Sequence, residues 1–329
     1  MRYSILIPVY NRPEEVDELL AGLTKQTFTD FEVVIVEDGS AIPCREVVER
    51  YADRLAVSYR TKPNSGPGQT RNVAAEQARG EYFLVLDSDV IPPPHYLEAI
   101  ESELRAAPCD AFGGPDRAHP DFSDVQKAIN YAMTSFFTTG GIRGGRRKLD
   151  VFHPRSFNMG IRSEVYRALG GFSPMRFGED IDFSLRIIEA GYTTRLFPKA
   201  WVYHKRRTDL RKFFKQVHNS GIARIHLMKR HPGSLKLVHL LPAAFTLGLG
   251  FFLLGGLVCA WSLTLPGAFA LLIGVDALRQ TRSPRVAVLS VAASTVQLVG
   301  YGTGFLRAWW QRCVCRKGEF EAFSQTFYK

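Results

Sequence analysis

Charged side chains are missing from one long stretch of this chain. No Asp, Glu, Lys or Arg occurs in the 39 residues from Leu237 to Val275. A helix of that length would extend about 58 Å, close to twice the roughly 30 Å hydrocarbon thickness of a bilayer. The stretch therefore predicts a hairpin of two membrane helices with its turn near Trp261 to Pro266, because Trp suits the interface and Pro is poorly placed inside a helix. The alternative is a buried helical hairpin in a soluble protein.

Several sequence signatures are also absent, and each absence excludes a class of protein. Neither GxGxxG nor GxxxxGK[ST] occurs, so neither a typical dinucleotide-binding fold nor a P-loop NTPase is supported. The five cysteines show no paired metal spacing, and Cys313-Val-Cys315 alone does not indicate zinc. Met1 leads into a strand-like run without a positively charged leader, so we expect no signal peptide.

Basic residues are concentrated in the last third of the chain. Residues 201–329 hold 18 Lys and Arg against four Asp and Glu, whereas residues 1–200 hold 24 against 28. Ten of the basic residues lie between Lys205 and Lys236, so residues 206–236 are interpreted as a basic juxtamembrane helix that contacts membrane lipids. Nucleic acid is the rival partner, but the segment adjoins apolar sequence and no nucleic-acid-binding motif is present. Residues 307–329 are expected to form a basic C-terminal tail.

A third apolar stretch, from Val286 to Leu306, has no charged residue but contains several Ser, Thr and Gln. It could cross the membrane or lie at the interface, so residues 237–306 are predicted to hold two or three membrane helices. Basic residues flank the hairpin on both sides, and the positive-inside rule places both flanks and the N-terminal domain in the cytoplasm of a multi-pass inner-membrane or plasma-membrane protein. A third full span would carry Arg307, Arg312, Arg316 and Lys317 to the far side against that rule.

Strand and helix patterns alternate along the first part of the chain. The pattern predicts strands at residues 3–8, 31–36, 55–60 and 81–86, with helices at 13–26, 45–54 and 68–78. Such alternation indicates the α/β class with a mostly parallel sheet flanked by helices. We therefore expect residues 1–205 to form one α/β domain, followed by a C-terminal α-helical membrane region.

Acidic clusters directly follow two of the apolar strands. Glu37-Asp38 follows the run FEVVIV, and Asp87-Ser88-Asp89 follows EYFLVL. The carboxyl ends of parallel strands form the edge where open α/β sheets bind ligands, so both clusters should face one crevice. Asp87 and Asp89 are suited to Mg²⁺ or Mn²⁺ with a polyphosphate, and Asp38 can accept a hydrogen bond from a base N–H. The competing explanation is ordinary turn and capping chemistry.

Two further candidates lie later in the same domain. Glu179-Asp180, at the start of a predicted helix, is the natural place for a general base that deprotonates an acceptor hydroxyl. The alternative is simple charge complementarity with the helix N-terminus. His204 could complete the metal shell through a neutral imidazole, although a structural histidine beside a basic segment is common.

Two glycine-rich segments complete the candidates. The turn from Asn64 to Asn72 opens a helix with Arg71 one turn inside, and backbone N–H groups with a guanidinium suit phosphate oxygens. Residues 140–148 combine four glycines with four positive charges. That segment is either a lid over phosphates or a solvated surface loop.

Together these motifs resemble the inverting glycosyltransferases of family 2, which have the GT-A fold. The resemblance covers residues 1 to about 205 and runs in order through ILIPVYNRP to VEDGS, NSGPGQTRN to LDSDVIPPP, and NMGIRSE to GEDIDF. It implies transfer of a sugar from a UDP-, GDP- or dTDP-sugar to an acceptor, with inversion at the anomeric carbon and with a divalent metal, Mg²⁺ or Mn²⁺.

The resemblance also implies a role for each matching residue. Asp38 would contact the base, Arg71 the ribose or diphosphate, and Asp180 would be the general base with Glu179 beside it. The expected nucleotide-sugar-binding residues are Pro8, Tyr10, Asn11, Asp38, Asn64, Arg71, Asp87 and Ser88. The expected metal ligands are Asp89, Asp87 and His204.

Departures from the family pattern and the membrane region refine this expectation. Glu37 stands where many relatives carry Asp, and the Gln-x-x-Arg-Trp motif of processive synthases is absent, which favours a single transfer. A site held at a membrane suggests a lipid-linked or glycan acceptor in cell-surface glycan or polysaccharide assembly. The alternatives are a nucleotidyltransferase and a catalytically silent membrane protein that binds nucleotide sugars or glycans.

Overall fold

The computed structural model describes residues 1–119, 121–139, 152–205 and 207–320. These residues divide into two compact units. The α/β unit comprises residues 1–119 and 152–205, and the helical unit comprises residues 121–139 and 207–320. The predicted basic loop at residues 140–148 and residues 321–329 of the predicted tail lie outside the described residues.

Within the described residues, ten strands all belong to the α/β unit. They are β1 (Tyr3–Val9), β2 (Phe31–Asp38), β3 (Val57–Lys62), β4 (Tyr82–Leu86), β5 (Val90–Ile91), β6 (Ala111–Gly113), β7 (Asp116–Arg117), β8 (Asn158–Arg162), β9 (Thr194–Leu196) and β10 (Val202–His204). The described residues of the two units together form twelve α-helices. They are α1 (Pro13–Leu23), α2 (Arg45–Glu49), α3 (Pro67–Gln77), α4 (Tyr96–Ala106), α5 (Asp124–Thr134), α6 (Phe136–Thr139), α7 (Ser163–Ala168), α8 (Glu179–Glu189), α9 (Leu210–Arg230), α10 (Leu241–Gly255), α11 (Thr264–Thr281) and α12 (Pro284–Trp309).

Seven strands form the main sheet in the order β3-β2-β1-β4-β8-β6-β9. The strands β1 to β4 are parallel to one another, as are β6 and β9, whereas β8 is antiparallel to its neighbours β4 and β6. A smaller sheet has the order β5-β10-β7, in which β10 is antiparallel to β5 and parallel to β7. The predicted mostly parallel α/β sheet is confirmed, and the four predicted strands lie within two residues of their observed bounds.

Both faces of the main sheet are buried, because side chains alternate along each strand. On β1, Ile5 and Ile7 join a core layer with α1 and α4, while Leu6 joins a second layer with α3, α7 and α8. Helices on both faces are the arrangement that a buried parallel sheet requires. This burial leaves the carboxyl ends of the strands as the place where polar side chains can gather.

The helical unit is organised around α12, which packs against α5, α9, α10 and α11. Glycines allow α9 and α12 to approach closely. A Cβ atom on Gly221 of α9 would lie 2.1 Å from the carbonyl oxygen of Tyr301, and one on Gly304 of α12 would lie 2.0 Å from that of His218. Larger residues at these two positions would therefore force the helices apart.

Three segments of the described chain are long and apolar enough to cross a membrane: residues 237–255, 260–281 and 284–314. Few residues of the first two are buried, 6% and 11% over the apolar 18-residue stretch of each, whereas 44% of the corresponding stretch of the third is buried. Residues 256–263 join α10 to α11, close to the predicted turn. Pro266 lies in the first turn of α11, where a missing N–H costs no helical hydrogen bond.

Candidate active site

Polar side chains gather where the parallel strands of the main sheet end. Asn11 follows β1, Asp38 ends β2 and Asp87 follows β4, and these strands lie in the order β2-β1-β4. The sheet therefore presents these predicted residues at one edge. Pro8 and Tyr10 lie partly buried at the end of β1, and Ser88 is 6% exposed between two acidic residues.

Asp38 is 2% exposed and is bonded to the turn that precedes α3. Its Oδ1 accepts the backbone N–H of Ser65 at 2.9 Å, and its Oδ2 accepts that of Gly66 at 2.9 Å. Lys62 also donates to the carboxylate. Asn64 is exposed, and its Nδ2 donates to the Asp38 carbonyl at 2.9 Å. Asp38 thus shapes the glycine-rich turn, and its contact with a base stays a prediction.

Asn11 and Glu37 fix the loop that follows β2. Asn11 has a left-handed backbone (φ 52°), and its Oδ1 accepts the N–H groups of Ala41 and Ile42 at 2.7 and 2.9 Å. Glu37 is 1% exposed, and its Oε2 accepts from the backbone N–H of Cys44 and from the Tyr59 hydroxyl at 2.9 and 2.8 Å. Glu37 is therefore a structural acceptor in this loop.

Arg71 connects the second acidic cluster to the third. Its Nη2 donates to Asp87 Oδ1 at 2.7 Å, and its Nη1 donates to Glu179 Oε1 at 3.2 Å. The side chain is 3% exposed and lies over the Phe172 ring at 5.1 Å. Its Nε is buried and has no hydrogen-bond partner among the described residues. A buried guanidinium whose Nε–H is not already hydrogen-bonded is suited to bind an anionic ligand.

Asp87, Asp89 and His204 form a cluster that fits a metal ion. Each offers one ligand atom, and these atoms lie within 4.8 Å of one another. His204 Nε2 lies 3.3 Å from Asp89 Oδ1. Two carboxylates and an imidazole are a suitable donor set for Mg²⁺ or Mn²⁺, and the nitrogen ligand favours Mn²⁺. The fold thus brings together the three residues predicted as metal ligands.

The smaller sheet brings His204 to this cluster. Antiparallel pairing of β10 with β5 sets His204 opposite Val90, the residue after Asp89. The imidazole stacks on Phe157 with ring centres 5.1 Å apart, and its Nδ1 lies 3.8 Å from Asp116 Oδ2. This distance is too long for a hydrogen bond, so Phe157 is the contact that packs against the imidazole.

The third acidic cluster opens α8. Gly178 precedes it in the left-handed conformation (φ 80°), which glycine adopts without strain, and Glu179 and Asp180 follow in the first turn. Each of the two carboxylate side chains is 14% exposed. Arg155 Nε donates to Asp180 Oδ2 at 2.6 Å, and the N–H of Ile181 donates to Asp180 Oδ1 at 2.9 Å.

The two adjacent carboxylates have pKa values shifted in opposite directions. Burial raises the pKa of Glu179, and the charge of Asp180 raises it further, against the opposing effect of Arg71. Burial would also raise the pKa of Asp180, but the charge and hydrogen bond of Arg155, together with the charge of Arg71 and the N–H of Ile181, hold this pKa below its usual range. Of the two carboxylates, Asp180 is the one whose ionised form this environment favours.

Sequence reasoning missed the cations that surround these acids. Arg12 Nη1 donates to Asp89 Oδ2 at 2.5 Å, and Lys62 pairs with Asp38. Both lie close in sequence to predicted site residues, Arg12 after Asn11 and Lys62 at the end of β3, so this proximity was a usable signal. Arg155 offered no such signal, because it lies where the alternation of strands and helices breaks down.

This fold and this site define a class of protein. A mostly parallel sheet with carboxylates, a histidine and the buried Arg71 at its carboxyl edge is typical of the GT-A fold. The sequence profile of glycosyl transferase family 2 matches residues 4–170, just over half of the chain. The chain belongs to glycosyl transferase family 2, which confirms the resemblance inferred from the motifs.

Curated relatives share parts of this chain. Poly(ribitol-phosphate) beta-N-acetylglucosaminyltransferase TarS of Staphylococcus aureus is 44% identical over 93 residues, 27% of this chain and 16% of TarS. An uncharacterized glycosyltransferase of Haemophilus influenzae is 32% identical over 188 residues, 56% of this chain and 62% of that protein. Validoxylamine A glucosyltransferase of Streptomyces hygroscopicus is 37% identical over 133 residues, 37% of this chain and 32% of that protein. The chain covers less than two thirds of each relative.

Solved structures share the fold. The mannosyltransferase PcManGT of Pyrobaculum calidifontis, in complex with GDP-Man and Mn²⁺, has a TM-score of 0.58 and 19% identity over 94% of this chain and 88% of its own. Residues 1–349 of S. aureus TarS, in complex with UDP-GlcNAc, have a TM-score of 0.50 and 19% identity over 93% of this chain and 92% of their own. These likenesses confirm the GT-A-like architecture.

Proposed function

We propose that this protein is a membrane-anchored glycosyltransferase that moves a single sugar from a nucleotide-sugar donor to a hydroxyl or phosphate acceptor, with inversion at the anomeric carbon. The observation that carries the proposal is the cluster of Asp87, Asp89 and His204, which Arg71 links to the acidic pair at the start of α8. The complexes of PcManGT with GDP-Man and of TarS with UDP-GlcNAc support a nucleotide-sugar donor.

Donor binding uses the charges at the carboxyl edge of the sheet. Asp87, Asp89 and His204 would hold Mn²⁺ or Mg²⁺. Such an ion, when bound, neutralises the nucleoside diphosphate as it leaves. Arg71 contributes a buried cation at the same place, and the backbone N–H groups at the start of α3 add donors for phosphate oxygens. Pro8, Tyr10, Asn11, Asp38, Asn64 and Ser88 are proposed to surround the nucleotide.

Transfer requires a base on the opposite side of the anomeric carbon from the leaving group. Asp180 would take the proton of the acceptor hydroxyl as its oxygen attacks the anomeric carbon. The new glycosidic bond forms while the bond to the diphosphate breaks, and the diphosphate departs with the electron pair. Glu179, bonded to Arg71, couples the position of the base to the donor site.

The helical unit supports a membrane setting for this reaction. The helices α10 and α11, which carry no charged residue before Asp276, would cross the bilayer as a hairpin, with the site on the cytoplasmic face of an inner or plasma membrane. An acceptor held in the same plane, such as a polyprenyl phosphate or a growing polyprenyl-diphosphate glycan, would have a raised effective concentration. We therefore place the protein in cell-surface glycan or polysaccharide assembly.

A donor screen tests this function. Full-length protein in detergent is incubated with Mn²⁺ and a panel of UDP-, GDP- and dTDP-sugars, and nucleoside diphosphate is measured with and without polyprenyl phosphate. We expect slow hydrolysis of one donor and faster release with the lipid acceptor. Release of pyrophosphate from a nucleoside triphosphate would instead identify a nucleotidyltransferase, and donor binding without any release would identify a silent binding protein.

A further inference from the structure

The helix α12 contacts the start of α10. Thr246 Oγ1 donates to the carbonyl oxygen of Leu298 at 3.3 Å. A Cβ atom on Gly302 would lie 2.4 Å from the carbonyl oxygen of Pro242, so the backbones are close at this point. The first two turns of α10 therefore rest on α12 near residue 300.

The same helix contacts the end of α11. Ile273 and Ala277 pack with Ala287 in one buried cluster. The Tyr131 hydroxyl of α5 donates to Asp276 Oδ2 at 2.6 Å, so polar contacts begin in this part of α11. The last turns of α11 therefore rest on α12 near residue 289.

The spacing of these two contacts constrains the direction of α12. About eleven residues separate them, which is about 16 Å along a helix. The start of α10 and the end of α11 adjoin basic segments that the positive-inside rule assigns to one side of the membrane. If α12 stood along the membrane normal, these two ends would differ in depth by about half of the hydrocarbon thickness. A helix lying in the membrane plane removes this difference.

The helix α9 gives an independent constraint, because it runs alongside α12 in the same direction. Val217, in its second turn, lies against Gly300 of α12, and Arg230, at its end, donates to Glu319 at 2.8 Å. Between them, Gly221 lies against Tyr301. Its six basic residues are Arg211, Lys212, Lys215, Arg224, Lys229 and Arg230. A helix with this charge is too costly to place across hydrocarbon, so the second half of α12, which packs against it, is also kept out of the hydrocarbon.

We propose that α12 lies in the plane of the membrane interface and does not cross the bilayer. This inference rests on the proposed insertion of the α10–α11 hairpin. The exposed side of α12 includes Val288 (72% exposed) and Trp309 (43% exposed), and Trp310, which directly follows the helix, is 58% exposed. The occupant of this side is the boundary between lipid headgroups and acyl chains, where Trp is favoured.

An in-plane α12 also removes a conflict in the charge distribution. Arg312 lies 3.7 Å from Glu319, the same carboxylate that Arg230 binds, so the basic residues after α12 lie beside those before α10. Both groups then remain on the cytoplasmic side. A spanning α12 would place the later group on the far side, against the positive-inside rule.

Two native cysteines allow a direct test. Cys259 lies between α10 and α11, and Cys315 follows α12; both are exposed, whereas Cys44 and Cys109 are buried. Full-length Cys313→Ser protein is treated with a membrane-impermeant maleimide in intact cells and in inverted membrane vesicles. Cys259→Ser and Cys315→Ser versions assign the labelled site. We expect Cys259 to be labelled in the cells and Cys315 only in the vesicles.

The outcomes separate this inference from the proposed function. Labelling of Cys315 from the same side as Cys259 would overturn the in-plane helix and leave the hairpin intact. Labelling of Cys259 only in inverted vesicles would overturn the insertion itself, while the donor screen judges the enzymatic activity. As a second measurement, spin labels on Val288→Cys and Leu306→Cys should report equal membrane depth. A spanning helix would separate them by about 27 Å.

Discussion

Arg155 and Asp180 form a charged hydrogen bond of 2.6 Å between Nε and Oδ2 in the candidate active site. Together with the N–H of Ile181 on the other oxygen, this bond fixes the plane of the Asp180 carboxylate. The positive charge also keeps the carboxylate ionised in a site where burial alone would favour the proton. One arginine therefore both positions the proposed base and keeps it in its active form.

The first prediction concerns the base. Asp180→Asn keeps the shape of the side chain but cannot take a proton, so kcat for transfer should fall by about 10²- to 10⁴-fold. Donor affinity, measured by calorimetry with a non-hydrolysable donor analogue, should stay within about twofold of wild type, because the proposed contact of Asp180 is with the acceptor and not with the donor. Glu98→Gln removes an exposed carboxylate and serves as the control. Full transfer by Asp180→Asn would eliminate Asp180 as the base.

The second prediction concerns the pH dependence that Arg155 sets. The base works only when ionised, so kcat falls as the pH drops through the pKa of Asp180. Arg155→Met removes the main influence that lowers this pKa but leaves the burial that raises it. The acid limb of the kcat–pH profile should therefore move to higher pH by about one unit or more. Arg155→Lys, which retains the charge, should move it less. Coincident acid limbs in the three proteins would contradict this role for Arg155.

The stability of the protein should change in the same direction. A carboxylate with a lowered folded-state pKa stabilises the protein above its unfolded pKa, and this contribution disappears as the pH falls through the folded pKa. Arg155→Met loses the interaction that lowers the pKa, so its deficit in Tm relative to wild type should be larger at pH 7 than in acid. Thermal scans of the full-length protein at both pH values separate this effect from a general packing defect.

The third prediction concerns the metal. Asp89→Asn and His204→Ala each remove a proposed ligand, and each should weaken Mn²⁺ binding by at least about tenfold. Titration of Mn²⁺ followed by electron paramagnetic resonance measures binding without relying on activity. Donor turnover should be lost in EDTA and should return with Mn²⁺. Wild-type affinity for Mn²⁺ in both variants would rule out this cluster as the metal site, provided that Glu98→Gln also binds normally.

The parts of this site that can be predicted from the sequence are those built from residues close together in the chain. Asp38 and Asp87 were predictable, because a buried strand and the polar residue at its end are adjacent in the chain. The pairing of Arg155 with Asp180, and the approach of His204 to Asp89, depend on contacts across 25 and 115 residues. The second of these is set by the register between β5 and β10, and a two-residue strand leaves almost no periodic signal.

In the membrane region, too, features set by neighbouring residues were predictable, whereas features set by packing between distant residues were not. Composition alone identified α10 and α11, because no charged residue occurs between Leu237 and Val275. Composition did not show whether α12 crosses the membrane, because some of its apolar residues are buried in the protein and others are exposed. Some pack against α5 and α9, as Val286 and Ala293 do, while others such as Val288 are exposed. Only the packing partners distinguish a buried apolar residue from one that faces lipid.

The last prediction concerns the close packing of α9 on α12, on which the in-plane arrangement depends. Gly221→Ala would place a Cβ atom 2.1 Å from the carbonyl oxygen of Tyr301 and 2.7 Å from the backbone nitrogen of Phe305. Backbone atoms cannot rotate away, so the helices must separate at a cost of about 1–3 kcal/mol. Gly248→Ala in α10 is the matched control, because no atom lies within 4 Å of its added Cβ. We expect Gly221→Ala to lower the Tm of the full-length protein in detergent and Gly248→Ala to leave it unchanged or raise it. Equal Tm values for the two variants would mean that α9 and α12 are not in backbone contact. In that case α9 would not hold α12 at its own depth in the membrane interface.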